Sequence, residues 1–188
     1  MTVIEVGGAY AHRFFNLLDF LKLRTLIITD LDTINAADNR KKCKVSEGTH
    51  TSNACIKDWY NSSGNNNPTK DELLRKTKEE KISGNRRLAF QIVHAENGPC
   101  GRSFEDAFIL ANPDKFGIEE MTYPEQEEEA WNLAKKIDKT DFAMKYGIQN
   151  TDWMTPRYIE EGLRWLAIKD VQEVDSALEI NAEEEKKD

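Results

Sequence analysis

No apolar run in this 188-residue chain approaches the roughly 20 residues a helix needs to cross a bilayer, and the N-terminus has no signal-peptide pattern. Cysteine is scarce and odd in number. Cys43, Cys55 and Cys100 lie far apart, which excludes a disulfide framework and fits free thiols in a reducing, cytoplasmic setting. Histidine is equally thin: His12, His50 and His94 are scattered, so no Cys/His spacing for zinc exists. Neither Gly-x-x-x-x-Gly-Lys-Ser/Thr nor Gly-x-Gly-x-x-Gly occurs, although Gly7-Gly8 interrupts the first apolar run. Positive charge is also short. A net charge of −8 argues against nucleic-acid binding by bulk electrostatics, but leaves room for an enzyme whose carboxylates hold cations. Much of the acidic excess sits in Glu125 to Glu129 and Glu183 to Glu185, which read as solvated faces or tails.

What is present is organised around Thr25-Leu26-Ile27-Ile28-Thr29-Asp30-Leu31-Asp32. An apolar run flanked by threonine predicts a buried strand of a parallel sheet, with Asp30 and Asp32 just beyond its carboxyl end, where open α/β sheets bind ligands. Strand alternation would send both carboxylates to one side, within reach of one hard cation. The same residues are also common in a plain polar turn.

Around this stretch the spacing predicts an α/β domain. Val3–Val6 reads as a strand, and Phe14, Leu17, Leu18 and Leu21 give a helix over 11–21. Residues 33–67 read as a long irregular loop interrupted by a helix near 53–59, whose capping residues Thr51-Ser52-Asn53 could leave free amides facing an anion. A polar helix is expected over 69–80, a strand over 87–93, and a helix from Ser103 with Glu105 and Asp106 in its first turn. Further helices are expected over 125–137, 140–146 and 158–168, the last after Pro156. The four tryptophans, Trp59, Trp131, Trp153 and Trp165, read mainly as core residues. The division is a core over 1–112, a helical subdomain over 113–170 and an acidic, disordered tail over 171–188.

Asp30, Asp32, Glu105 and Lys139 all fall at strand ends or in first helical turns. Oxygen ligands from such carboxylates suit Mg²⁺, which keeps several waters, and a nearby lysine suits charge developing on a phosphoryl group. Each has a plainer role as well: acids stabilise helix N-termini, Ser103 makes a cap, and Lys139 is a surface lysine. Asp106, Ser52 and Ser103 are secondary candidates, and Glu5 more simply anchors the Gly7-Gly8 turn.

The assembled blocks resemble a family. The run Val3 to Phe14, Thr25 to Asp32, Thr51-Ser52-Asn53, Gly101-Arg102-Ser103-Phe104-Glu105-Asp106-Ala107-Phe108, Lys139-Thr140-Asp141-Phe142-Ala143 and Tyr158-Ile159-Glu160-Glu161-Gly162-Leu163 are similar, in order, to the TOPRIM half of the OLD (overcoming lysogenization defect) nucleases. The resemblance implies a Rossmann-like parallel sheet flanked by helices, and cleavage or nicking of DNA with two divalent cations, Mg or Mn. It implies that Asp30, Asp32 and Glu105 bind metal and that Lys139 lies near the scissile phosphate. It also implies an N-terminal ATPase as partner, dimerisation, and a role in phage defence. The family's ATPase half and first TOPRIM block, a Val-Glu-Gly strand end followed by another Glu, have no counterpart here, so the chain is expected to be a fragment. Two other readings stay open. One is a HAD-like phosphatase using Asp30 and Asp32, against which Ile34 and the preceding β–α unit count. The other is a non-catalytic TOPRIM remnant that binds a partner.

Overall fold

A computed structural model describes residues 1–7, 9–61, 64 and 67–168. Two strands carry the fold. β1 (Thr25–Ile28) runs parallel to β6 (Arg86–Ala89) with Ile28 opposite Ala89, and β5 (Ile82–Ser83) adds an antiparallel edge. The sheet is thus mixed, and β6 stops sooner than the apolar run through Val93 suggested.

Alternation splits the side chains between two layers. On one face Ile27 and Leu88 join Phe15 of α1 (Phe15–Phe20) and Cys55, Ile56 and Trp59 of α2 (Ala54–Asn61). On the other, Leu26 and Ala89 meet Ala107 of α4 (Phe104–Ala111) and Tyr158 of α8 (Arg157–Ala167). Gly162 allows α8 to close on β1, since a Cβ there would stand 2.7 Å from the Leu26 side chain. The basic start of β6 is buried as well: Arg86 grips Asp19 through two bonds of 2.6 and 2.9 Å and lies over the rings of Phe15 and Trp59.

The expected strand at Val3–Val6 is absent. Val3 and Ile4 are 81% and 78% exposed, and β-propensity without a neighbouring strand does not fix an extended segment. The residues read as a long loop contain a second, antiparallel sheet, with β2 (Thr33–Asn35) between β3 (Lys41–Lys42) and β4 (His50–Thr51). α3 (Lys70–Leu74) is shorter than the polar helix expected over 69–80; Thr69 caps it in a reciprocal pair with Glu72.

The helices after α4 pack on it. α5 (Pro113–Phe116) and α6 (Tyr123–Ala134) share the apolar cluster of Ile109, Leu110, Ile118 and Ala130. Phe108 lies in van der Waals range of Phe142 and Tyr146, contributed by α7 (Lys139–Met144) and the wider turn after it, and of Trp153. Gly8 and the tail expected over 171–188 lie outside the described residues. Among those described, no helix is long and apolar enough to cross a membrane. The three cysteines are free and buried.

One buried charge opposes the fold. Lys81 is 7% exposed, its ammonium 4.7 Å from the centre of the Phe90 ring, and burial pushes its pKa down to about 8. Because the folded value lies below the unfolded one, the unfolded chain binds more protons between the two. Stability from this group therefore rises as pH increases from about 8 towards 10.5. We expect Lys81→Met to stabilise the protein by about 2–3 kcal/mol at pH 7, with the gain shrinking towards pH 10, as read by urea denaturation at both values. A loss at pH 7 would contradict it.

Candidate active site

The site grows from the parallel register. Ile28 pairs with Ala89, and two residues further on Asp30 and Gln91 come alongside. Gln91 is completely buried. Its Nε2 donates to Asp30 Oδ1 at 2.7 Å and to the Tyr158 hydroxyl at 3.2 Å, while its Oε1 accepts from the Leu31 amide. Asp30 also takes a hydrogen bond from the Phe104 amide at the start of α4. Burial raises the Asp30 pKa, the Gln91 bond opposes that rise, and the neighbouring Asp32 and Glu105 charges add to it.

Asp32 does not reach its place by strand alternation. β1 has already ended, and Asp32 adopts a left-handed backbone, φ 51°, which a short polar residue tolerates. Arg102 holds it: the guanidinium lies 2.6 Å from Asp32 Oδ1 and donates to the Thr33 carbonyl at 3.1 Å. The Arg102 carbonyl accepts from the Asp32 amide at 3.0 Å.

Thr51-Ser52-Asn53 fasten the same loop. Thr51 Oγ1 donates to the Leu31 carbonyl, Ser52 Oγ and N–H to that of Asp32, and Asn53 Nδ2 to that of Asp30. Asn53 Oδ1 accepts the amides of Cys55 and Ile56 at the start of α2. Those amides are therefore not open to an anion, which corrects that expectation. Ser52 is a brace for the aspartate loop.

Glu105 lies in the first turn of α4. It is 2.8 Å from Lys139 Nζ and accepts from Ser103 Oγ at 3.0 Å. Burial opposes its ionisation, but Lys139 and the hydrogen bonds outweigh it and lower its pKa. Lys139 is 83% exposed along its side chain, and its pKa is raised by the Glu105 bond, with Asp30 and Asp32 contributing at longer range. The four sequence-predicted groups thus meet in one place.

Asp106 faces elsewhere. It is 4% exposed and takes the amides of Arg102 and Ser103 at 2.8 and 2.6 Å and the Ser103 hydroxyl at 2.9 Å. It caps α4, and burial pushes its pKa up to about 6. Ser103 serves both acids. Gly101 lets the loop press on the helix, since a Cβ there would stand 2.4 Å from the Ala107 nitrogen. Glu5 is exposed, outside any strand.

Sequence reasoning missed Gln91, Arg102 and Tyr158. The available signal for Gln91 was a single amide inside the apolar run Leu88-Ala89-Phe90-Gln91-Ile92-Val93. Arg102 and Tyr158 lie within the family-like blocks, where nothing in their spacing marks a role.

Asp30, Asp32 and Glu105 offer carboxylate oxygens, the donors that magnesium and manganese prefer. Among the described residues, no three His, Cys, Asp or Glu side chains are grouped so as to enclose an ion. The donor chemistry fits a cation of the kind that keeps waters and substrate phosphate as its remaining ligands.

A family model for the overcoming lysogenization defect protein-like TOPRIM domain matches residues 1–32, the segment ending at Asp32. The chain is also 30% identical over 196 aligned residues to endonuclease GajA of Bacillus cereus (strain HuB5-5). Both matches make the chain similar to the OLD-like TOPRIM proteins. The match to GajA covers 90% of this chain and 27% of that protein, so the chain spans about a quarter of the length of the relative. No solved structure matches.

Replacing Gln91 with leucine keeps the volume but leaves the Leu31 amide and the Asp30 carboxylate without their partner. We expect Gln91→Leu to cost about 1–3 kcal/mol in chemical denaturation. A variant as stable as the parent would show that water or a shifted backbone replaces the amide.

Proposed function

We propose that this chain is the nuclease part of an OLD-type enzyme, hydrolysing phosphodiester bonds of DNA with divalent cations. The observation that carries the reading is the ion pair of Lys139 with Glu105, 2.8 Å, beside the Asp30 and Asp32 carboxylates. A strand end and two helices far apart in sequence thereby contribute three acids and an exposed base to one patch. That combination suits a phosphate diester better than a neutral substrate.

Asp30, Asp32 and Glu105 are the residues that would hold the cations, two Mg²⁺ or Mn²⁺ ions in this reading. Bound there, the ions supply Lewis-acid activation of water and neutralise charge at the phosphoryl group. The chain's own residues do the orienting. Gln91 and the Phe104 amide fix Asp30, Arg102 fixes Asp32, and Ser103 fixes Glu105. Lys139, tethered at one end and exposed at the other, is positioned to meet a non-bridging phosphate oxygen.

The wider features of the proposal follow the family. The helices that follow residue 112 are read as an addition to a core over 1–112, with α8 packed back on the central sheet of that core, and an ATPase domain and a second copy assist in a larger assembly. The setting is cytoplasmic and the role is defence against phage. The match to an endonuclease along most of this chain supports the reading.

The test is nicking of supercoiled plasmid. We expect the protein to nick in Mg²⁺ or Mn²⁺ and to stop when EDTA is added. Asp30→Asn should fall to background while its circular dichroism melt stays close to that of the parent. Equal nicking by both would sink the role of Asp30; no nicking by a folded parent would count against these residues as a sufficient site.

A further inference from the structure

The hairpin that leaves the site carries charge the proposed reaction does not use. β2 starts at Thr33, directly after Asp32, and the chain turns back into β3 with residues 36–42 all exposed. The Lys41 amide donates to the Asp38 carbonyl at 2.8 Å, and the two residues between them, Asn39 and Arg40, have φ of 46° and 58°. This is the pattern of a type I′ turn, whose second central position favours glycine. Arginine is held there against its own backbone preference, because its Cβ crowds the chain in the left-handed region. Local folding does not call for Arg40.

The charges around it are poorly compensated. Lys41 reaches Asp38 only at 3.9 Å, between two well-exposed side chains. Among the described residues, Arg40, Lys42 and Lys57 take part in no ion pair. Lys57, in α2, has its pKa lowered by burial and further by the nearby Arg40 cation. The like charges of Arg40 and Lys57 are therefore held near each other, with Lys42 two residues further along the hairpin, in a chain whose net charge is −8. Both elements are tied to the aspartate loop. The hairpin continues from Asp32, and α2 is capped by Asn53, whose amide holds the Asp30 carbonyl.

We propose that Arg40, Lys42 and Lys57 hold the phosphate backbone of duplex DNA on one side of the carboxylate site. The inference rests on the nuclease reading and adds a substrate-holding surface to it. The three residues of β2 advance roughly 10 Å at about 3.3 Å each. Along duplex DNA that is about three base pairs at 3.4 Å per step, so the hairpin would grip phosphates close to the one being cleaved. The turn offers Ala36, Ala37, Asp38 and Asn39 beside its cations, with no large apolar side chain to anchor a protein partner. Contacts of this kind position the duplex without reading its sequence.

The experiment is fluorescence anisotropy of a labelled DNA duplex over a salt series in EDTA, with the whole chain. Glycine fits the turn better than arginine, so Arg40→Gly should melt at the same or a higher temperature while binding more weakly. The slope of log affinity against log salt should fall by about one for Arg40→Gly, and by about three when Lys42→Ser and Lys57→Ser are added. Unchanged affinity and slope in the triple variant would overturn this surface and leave the nuclease reading standing. Failure of the folded parent to bind duplex DNA at low salt, in EDTA and again with Ca²⁺ added, would bring down the nuclease reading itself. Unchanged DNA binding by the triple variant, together with loss of binding to an acidic peptide that the parent binds, would assign the hairpin to a protein partner and overturn the proposal.

Discussion

The site depends on one parallel strand register. Because Ile28 faces Ala89, a buried amide at Gln91 falls beside the carboxylate at Asp30. The two strands end together, and their continuations need new hydrogen-bond partners where the ladder stops. Gln91 supplies them in both directions, accepting from the Leu31 backbone and donating to Asp30 and Tyr158. A shift of one residue would turn Gln91 towards the opposite layer and leave a polar group among Phe15, Trp59 and Leu73. Register and site geometry are thus a single property.

The acids themselves were legible from sequence because each lies at a break in a pattern. Asp30 and Asp32 follow an apolar strand, and Glu105 and Lys139 open helices that their neighbours announce. Their supports were not legible, because Gln91 and Arg102 acquire partners only once distant segments are side by side. The second sheet escaped notice for another reason: strands of two and three residues are too short to show alternation. Val3–Val6 shows the reverse error, a sequence well suited to a strand that finds no ladder. Trp59 is core as expected, while Trp153 packs on Phe108 and Trp165 beneath Arg24.

Within the patch every acid already has a companion. Arg102 faces Asp32, Lys139 faces Glu105, and Gln91 with the Phe104 amide faces Asp30. Three carboxylates this close would otherwise repel one another. The companions differ in exposure. Arg102 is 10% exposed along its side chain and braced by a second contact to Thr33, whereas Lys139 extends into solvent. The buried cation keeps the loop in shape, and the exposed one is held on its protein side by Glu105 alone among the ion pairs described. The aromatic packing of Phe108 on Phe142 and Tyr146 holds α7, and with it Lys139, against α4.

The buried cysteines have a practical consequence. Burial pushes the Cys55 thiol up to about 12 and raises Cys43 and Cys100 as well, so none presents a thiolate at neutral pH. Cys55 is on the buried face of α2, packed with Phe15 of α1, and Cys100 lies just before Arg102 and α4. A thiol-specific reagent would therefore leave the folded chain untouched and label it as these layers part. The native sequence carries its own clock for opening: Cys55 and Cys100 belong to one buried cluster, and the rates at which they react time its parting.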